Sequence, residues 1–414
     1  MRHLIINNVG PIKNADVELK KFNYFIGPQS SGKSTVAKII STCSWIEKEV
    51  ATSLDEKVIP SGDAFKKLIE GFHKMTGYFN DDSIVRFVTD SICLSFEKGE
   101  LAVKLKPGIN YHRKKTCYIP SERNMVTLPE LSDYKLDNNN LKSFLFDWLY
   151  AREIFNSSNK AKMLNLGVNY FYDKDELRFK DRIEHNNGKS YSISLFCASS
   201  GLQSVIPLIV MLRYYSDEYF SYFDNKSSYN QGDRDRLMRE RLADMILLKP
   251  LYPFFKDEDR TRLLKEVSDR VESYEPEFVA QYHKYQDALN QLSIPSATTF
   301  IIEEPEQNLF PYTQIQLVDF IASLDDKERG HSFTITTHSP YIINALNVML
   351  LRYYKKTGKK DVNPDEINVF SVQDGNVINQ VQINTVTGYK SVNIDNLSEA
   401  MQDMYDEYRE LKNL

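Results

Sequence analysis

The feature that most constrains the fold is a glycine-rich loop between a strand-like segment and a helix-like segment. NYFI at 23–26 has the composition of a buried strand, and GPQSSGKS follows it directly at 27–34. From Lys33 to about Glu49, apolar side chains recur at helical spacing. A strand that passes through such a loop into a helix is typical of α/β proteins with parallel strands.

This loop fits the pattern G-x-x-x-x-G-K-[S/T] in full. Glycines let successive backbone N–H groups point at phosphate oxygens, and the helix start adds partial positive charge. We expect the Lys33 ammonium to contact the β- and γ-phosphates of a nucleotide and the Ser34 hydroxyl to bind Mg²⁺. An incidental glycine–serine loop is the alternative, but the flanking strand and helix favour phosphate binding. The phosphate-binding residues expected from the motif are Gly27, Pro28, Gln29, Ser30, Ser31, Gly32, Lys33, Ser34 and Thr35.

A second strand-like segment ends in two adjacent carboxylates, Glu303 and Glu304, after FII at 300–302. Because the carboxyl ends of parallel strands meet at one edge of a sheet, we expect both carboxylates beside the glycine-rich loop. Two carboxylates in such a place are costly unless a cation or a water molecule uses them. We expect Glu303 to hold the Mg²⁺ shell and Glu304 to orient or deprotonate the attacking water. The alternative is a solvated strand end before a proline turn.

Two further polar positions adjoin apolar segments. His338 follows the strand-like TITT and is expected to contact the γ-phosphate, although a lone histidine is more often structural. Ser199, Ser200 and Gly201 open an apolar helix, so the plain interpretation is an N-cap. The same helix start can present N–H groups and a hydroxyl to a γ-phosphate. Since the loop at 27–34 already serves its own chain, this second helix start predicts a site completed by another subunit.

Composition narrows the classes of protein that remain. The net charge of −5 disfavours a permanently basic protein that coats nucleic acid, and nucleic acid stays open as a partner. We expect no membrane span, because no apolar run is long enough, and the cytoplasm as location, because no signal-peptide pattern is seen. The four cysteines are far apart, so reduced and mostly buried thiols are expected rather than a zinc site.

Together these motifs resemble those of ATP-binding-cassette (ABC) ATPases, and most of all the soluble SMC, RecF and OLD-like group. The glycine-rich loop resembles Walker A, SSGLQ at 199–203 the signature, FIIEE at 300–304 Walker B, and His338 the switch histidine. EEPEQNLFP at 303–311 and YIPSERN at 118–124 resemble segments of prokaryotic defence ATPases in that group.

The chain departs from that family at several positions. Glu303 stands where the family has aspartate, which leaves direct and water-mediated Mg²⁺ contact both open. The signature is not LSGGQ, although Ser200 and Gly201 keep its core. A Q-loop glutamine is not identified, since Gln29 lies in the glycine-rich loop itself, and Arg123 is the candidate for a related role.

The resemblance implies an α/β P-loop NTPase of ABC type. Its expected parts are a mixed sheet with helices on both faces, an antiparallel β subdomain and a helical lobe or insertion. Hairpins are predicted at Lys98-Gly99, Asn187-Gly188 and Asp374-Gly375. We expect one ATPase domain over 1–414, made of an N-terminal lobe with the P-loop (1–125), a helical and signature region (126–215), a charged helical insertion (216–294) and a C-terminal lobe with Walker B and His338 (295–414).

By the same resemblance, two subunits pack head-to-tail around ATP and Mg²⁺, as a homodimer or a higher homo-oligomer. No TOPRIM nuclease pattern is seen after His338, so we expect an ATPase subunit that acts as sensor or scaffold for a separate effector, a nuclease or toxin, in anti-phage defence. A RecF- or SMC-like DNA repair or maintenance ATPase is the alternative, and a transporter subunit is less favoured. The DNA alternative needs a basic groove, although a solvated hairpin face is the preferred interpretation of its candidates, which are Lys104, Lys106, Arg113, Lys114 and Lys115.

Overall fold

A mixed β-sheet forms the centre of the computed structural model, which describes residues 2–128, 137–176, 180–185, 191–224, 233–324, 329–358, 361–393 and 395–412. Within these residues, eleven strands join the sheet in the order β6-β5-β4-β1-β2-β15-β14-β3-β13-β12-β7. Their bounds are β1 Arg2–Val9, β2 Ile12–Leu19, β3 Phe22–Ile26, β4 Phe79–Val88, β5 Ile92–Glu97, β6 Glu100–Leu105, β7 Lys114–Ile119, β12 Ala297–Glu303, β13 Ser332–Thr337, β14 Ile367–Gln373 and β15 Asn376–Asn379.

The half of the sheet that carries β14, β3, β13, β12 and β7 is parallel. Ile26 at the end of β3 pairs with Thr337 on β13, and Thr336 pairs in turn with Glu303 at the end of β12. The carboxyl ends of these three strands therefore meet at one edge of the sheet. All residues of β3 and β12 are buried, as expected for strands covered on both faces.

Strands β6, β5, β4, β1 and β2 pair antiparallel, as do β14 and β15, whereas β15 joins β2 in parallel. Two of the predicted hairpins lie within this large sheet. β5 and β6 turn at Lys98-Gly99, and β14 and β15 turn at Asp374-Gly375. Both residues of each turn have positive φ, as a tight two-residue hairpin requires. These two hairpin predictions are confirmed.

Smaller antiparallel sheets lie outside the large one. β8 (Ala161–Lys162), β9 (Val168–Tyr172), β10 (Asp181–His185) and β11 (Tyr191–Ser194) form one sheet, and β16 (Val381–Ile383) pairs with β17 (Lys390–Val392). β10 and β11 pair as an antiparallel hairpin, but the predicted turn at Asn187-Gly188 lies outside the described residues.

Helices cover both faces of the large sheet, which confirms the α/β fold class. Phe22, Tyr24 and Ile26 of β3 pack in a core with α3, α4, α10 and α11, whereas Phe25 points to the opposite core with α1. The helices are α1 Lys33–Ser53, α2 Ala64–His73, α3 Asn140–Ala151, α4 Ser200–Arg213, α5 Tyr219–Asp224, α6 Asp233–Leu242, α7 Lys249–Leu251, α8 Arg260–Glu272, α9 Pro276–Ser293, α10 Pro311–Ser323, α11 Pro340–Lys355 and α12 Asp395–Lys412.

The described residues of the charged region between α4 and β12 are mostly helical, and part of the region packs against the far end of α1. Leu242 and Leu292 share a small core with Ala51, near the last turn of α1. Arg241 donates to the main-chain oxygen of Ser53 at 2.6 Å and to Asp55 at 2.8 Å. The helix that opens at the glycine-rich loop therefore reaches this helical lobe directly.

Other expectations are corrected. The helical and signature region (126–215) is not helical throughout its described part, since Ala161–Lys162 is a strand that pairs with β9. Two of the cysteines, Cys93 and Cys197, are exposed rather than buried, and all four are free thiols in the described residues. None of the described helices has both the length and the apolar character that crossing a bilayer requires.

Candidate functional site

The glycine-rich loop has a backbone that two of its glycines make possible. Gly32, at the start of α1, has φ of 108°, a conformation that side-chain-bearing residues rarely adopt. A Cβ on Gly32 would lie 2.5 Å from Cδ1 of Ile12, and one on Gly27 would lie 2.2 Å from the main-chain oxygen of Val372. Both positions therefore require glycine, so the motif reflects the packing of the loop against its neighbours. Pro28, Gln29 and Ser30 are exposed on the outer side of the loop, and Thr35 is buried in the first turn of α1.

Lys33 lies buried over this loop. Its Nζ donates to the main-chain oxygens of Gly27 at 3.0 Å and Pro28 at 2.7 Å, and it lies 3.3 Å from Nδ1 of His338. Burial lowers the pKa of Lys33 to about 8, against the attraction of Glu304 and Glu306. A phosphate group would stabilise the charged form of this ammonium, so the position suits the anion that the motif predicts.

The Glu303 carboxyl and the Ser34 hydroxyl lie next to each other beside the loop. Glu303, the last residue of β12, is buried, and burial raises its pKa while the charge of Lys38 and the hydroxyls of Ser34 and Tyr118 oppose the rise. Its Oε1 has no hydrogen-bond partner among the described residues. An unpaired buried carboxylate oxygen next to a hydroxyl fits a Mg²⁺ ion, which takes its remaining ligands from phosphate and water. Ser34 and Glu303 would therefore hold the ion.

Glu304 begins the turn after β12 and faces His338. Its φ is 44°, in the left-handed region, and its N–H donates to the main-chain oxygen of Thr336 at 2.9 Å. Its Oε1 lies 3.3 Å from Nε2 of His338, and both side chains are about one-third exposed. Because the Lys33 ammonium can only donate, Nδ1 of His338 accepts and Nε2–H donates to Glu304. The contacts run from Lys33 through His338 to Glu304.

Glu306 positions His338, a role that the residue pattern alone did not reveal. Its Oε1 accepts from the Thr337 hydroxyl at 2.8 Å and from the N–H of His338 at 2.6 Å. Burial raises the pKa of Glu306, and these donors oppose the rise. The signal in the sequence was the third acidic residue of EEPE, which follows the proline.

Arg123 lies fully buried under the turn that carries the two carboxylates. Its guanidinium donates to the main-chain oxygens of Glu303 at 2.9 Å, Glu304 at 2.8 Å and Ser204 at 3.0 Å. Burial lowers its pKa to about 10. These bonds go to carbonyl groups of the scaffold and tie the end of β12 to α4, and the Q-loop-like role of Arg123 stays a prediction.

Ser199, Ser200 and Gly201 lie at the N-terminus of α4. Ser199 occupies the N-cap position, but its side chain makes no capping hydrogen bond, and Ser199 and Ser200 are both exposed. A Cβ on Gly201 would lie 2.8 Å from the main-chain oxygen of Asn308, so this helix start packs against the turn after Walker B. No hydrogen bond within the described residues links it to the glycine-rich loop of its own chain. The structure thus brings Lys33, Ser34, Glu303, Glu304 and His338 together and leaves the N-terminus of α4 facing outward.

The fold and the site define a P-loop α/β protein. No protein-family model matches the chain, and no curated protein matches it. Similar solved structures include the SMC head domain from Thermotoga maritima, with 10% identity over 92% of this chain and 98% of that chain and a TM-score of 0.36. A structure of the recombination mediator protein RecF is 11% identical over 91% of this chain and 97% of that chain, with a TM-score of 0.31. An ATP-binding cassette of an ABC transporter is 12% identical over 91% of this chain and 90% of that chain, with a TM-score of 0.26. With identities and TM-scores this low, these likenesses support no conclusion about what this chain binds.

Proposed function

We propose that this chain binds ATP with Mg²⁺ and hydrolyses it. The observation that carries the proposal is the continuous set of contacts from Lys33 through His338 to Glu304, with Ser34 and Glu303 alongside. A loop that binds phosphate, a pair of neighbouring oxygen ligands and a partly exposed carboxylate are the parts that hydrolysis of a nucleoside triphosphate requires.

Each residue then has a distinct task. The loop N–H groups and Lys33 bind the β- and γ-phosphates. Mg²⁺, when held by Ser34 and Glu303, neutralises charge that develops on the phosphate oxygens. Glu304 orients and deprotonates the attacking water, while His338 keeps the carboxylate in place through its Nε2–H.

We propose further that the site is completed by a second copy of the chain, with one ATPase domain per subunit over 1–414. The support is the outward-facing start of α4, where Ser200 is exposed and Ser199 lacks a capping bond. Helix N–H groups that are not capped suit an anionic phosphate. A two-fold dimer would let each chain donate this helix start to its partner's nucleotide.

The biological role that we propose is regulation of a separate effector in anti-phage defence, with ATP-driven dimerisation as the switch. Its support is the resemblance of EEPEQNLFP and YIPSERN to segments of defence ATPases. The DNA-repair alternative needs an open groove lined by cations. Three of its candidate cations, Arg113, Lys114 and Lys115, line a cavity instead, which makes them less suited to bind a DNA backbone.

The first test is Lys33→Ala with ATP binding measured by calorimetry. Loss of the ammonium should abolish measurable binding, because the ammonium is the principal charge that faces the phosphates. Lys104→Ala, whose side chain is exposed on β6, is the matched control and should bind like the parent. Unchanged ATP affinity in Lys33→Ala would rule out the assignment of the loop.

A further inference from the structure

A second cavity of about 550 Å³ lies between α1, α2, α3 and the edge strand β7. Its size is within the range of pockets that hold small molecules. Within the described residues, its wall contains no carboxylate. The cationic side chains that line it are Lys48, Lys67, Arg113, Lys114 and Lys115.

This cavity is distinct from the glycine-rich loop. Lys114, Lys115 and Thr116 begin β7, whereas the Walker B edge adjoins the other end of the strand, where Ile119 pairs with Ile302. The cavity wall shares no residue with the glycine-rich loop at 27–34. A ligand here would thus occupy a site of its own.

The positive charge in the cavity is only partly compensated. Lys115 pairs with both oxygens of Asp147 at 2.9 Å, Lys48 with Glu49 at 3.1 Å and Lys67 with Asp63 at 2.9 Å, whereas Arg113 donates to a main-chain oxygen, that of Ser293. The Lys114 ammonium forms no ion pair with a described residue, although Glu47 and Asp90 lie near enough to oppose the lowering of its pKa by burial. An anion would relieve this excess of charge.

A buried histidine supplies a second, independent sign of a ligand. His73 is 1% exposed and lines the cavity, and neither ring nitrogen has a hydrogen-bond partner in the described part of the chain. Burial lowers its pKa to about 3, so the ring is neutral and offers one donor and one acceptor. Buried polar groups without partners are rare in proteins unless something binds them.

Aromatic rings line the same cavity. Trp45, Phe72, Tyr118 and Tyr219 contribute apolar surface next to the cations. Rings beside cations suit a ligand with a flat group and a phosphate. The ring of Tyr118 lies 4.8 Å from that of His73, and its hydroxyl faces the carboxyl of Glu303 without a hydrogen bond of normal geometry among the described residues.

We propose that this cavity binds a small phosphorylated ligand of mononucleotide size. Lys114 and Arg113 would contact the phosphate, His73 would donate to or accept from the ligand, and an aromatic ring would stack on its flat part. We infer also that the ligand regulates ATP hydrolysis through Tyr118, which joins the cavity to the Mg²⁺ ligand Glu303. This second statement rests on the proposed function.

The binding test uses the full chain with Lys33→Ala, so that the glycine-rich loop does not bind the probe. The probes are AMP, GMP and inorganic pyrophosphate, measured by calorimetry up to roughly millimolar concentration. At least one should bind saturably, and adding Lys114→Met should weaken it about tenfold, the effect of losing one charge-assisted contact. Pyrophosphate binding without nucleotide binding would identify a plain phosphate site of the same chemistry.

Lys67→Met is a second variant in case Lys114→Met does not fold. The Lys67 side chain is 74% exposed at the cavity rim, so its replacement should leave the fold intact and weaken binding about threefold. Lys104→Met, exposed and outside the cavity wall, is the matched control and should leave binding unchanged. Failure of all three probes to bind would overturn the proposal. Equal weakening by Lys104→Met, or preference for a single-stranded oligonucleotide, would overturn it in favour of an extended nucleic-acid surface.

The regulatory test compares ATP hydrolysis by the wild-type chain with and without the bound probe. The probe should change the rate at least twofold, and Tyr118→Phe should still bind it while removing most of that change. A chain that binds the probe but never hydrolyses ATP would contradict the proposed function and leave the cavity site standing. A chain that hydrolyses ATP but binds no probe would support the proposed function and contradict the cavity site. Binding without any change in rate would overturn the coupling alone.

Discussion

Replacement of Arg123 by methionine tests how the scaffold holds the catalytic turn. The side chain is fully buried and gives three short hydrogen bonds, to the main-chain oxygens of Ser204, Glu303 and Glu304. Methionine fills much of the volume but leaves these carbonyls without their donors, each costing about 1–3 kcal/mol if buried. Burying the guanidinium is itself unfavourable, as its lowered pKa indicates, so the net loss is smaller. We expect the free energy of unfolding to fall by about 3–5 kcal/mol, the scale seen when one partner of a buried charge network is removed.

The assay is urea unfolding, followed by circular dichroism, together with ATP affinity and kcat on the folded variant. Arg213→Met is the matched control, because Arg213 lies on α4 and, within the described part of the chain, gives one hydrogen bond, to the main-chain oxygen of Lys162 at 2.8 Å. Arg213→Met should lower the free energy of unfolding by only about 1 kcal/mol. In Arg123→Met, kcat should fall by about tenfold or more with ATP affinity changed far less, because the turn that carries Glu304 loosens while the loop stays intact.

Two results would refute this reasoning. Equal unfolding free energies for Arg123→Met and Arg213→Met would mean that the network contributes little to the fold. A fall in ATP affinity with kcat preserved would mean that Arg123 acts on the loop and not on the turn.

Two further predictions concern the chemistry at the site. Glu304→Gln should bind ATP normally and hydrolyse it roughly 10²–10⁴ times more slowly, the scale of losing a general base; intact turnover in a phosphate-release assay would place the base elsewhere. ATP affinity should be flat below pH 8 and fall by up to about tenfold per pH unit above it, since the free chain's Lys33 loses its proton with a pKa of about 8 and binding must then restore it. Calorimetry across pH 7 to 10 measures this, and a flat profile through pH 9 would show that Lys33 titrates higher.

The parts of the molecule that local sequence determines were predictable. The glycine-rich loop and the hairpin at Asp374-Gly375 depend on backbone conformations that neighbouring residues impose, so their patterns are read directly. The roles of Arg123 and Glu306 were not predictable, because their partners lie in distant segments: main-chain oxygens for Arg123, and the Thr337 hydroxyl and His338 N–H for Glu306. Arg123, for example, reaches carbonyls 81, 180 and 181 positions away.

The basic residues show the same limit. Lys104 and Lys114 both belong to the set that the sequence suggested for a DNA groove. The structure places Lys104 on an exposed strand face and Lys114 in the wall of a cavity. The sequence shows that both residues are basic. Whether a lysine lines a cavity together with α1 and α2 depends on how these helices pack, and the sequence does not show that. The start of α4 as a partner's phosphate ligand stays a prediction.

The central claim, an ATP site shared by two chains, is tested most directly by mixing two inactive variants. Lys33→Ala lacks its own phosphate ligand, and Ser200→Arg blocks the helix start that it offers to a partner. In an equal mixture, a mixed dimer has one intact site, so hydrolysis should recover to about a quarter of the wild-type rate under random two-fold pairing. If the mixture stays as inactive as its components, or if Ser200→Arg alone hydrolyses ATP normally, the shared site is wrong.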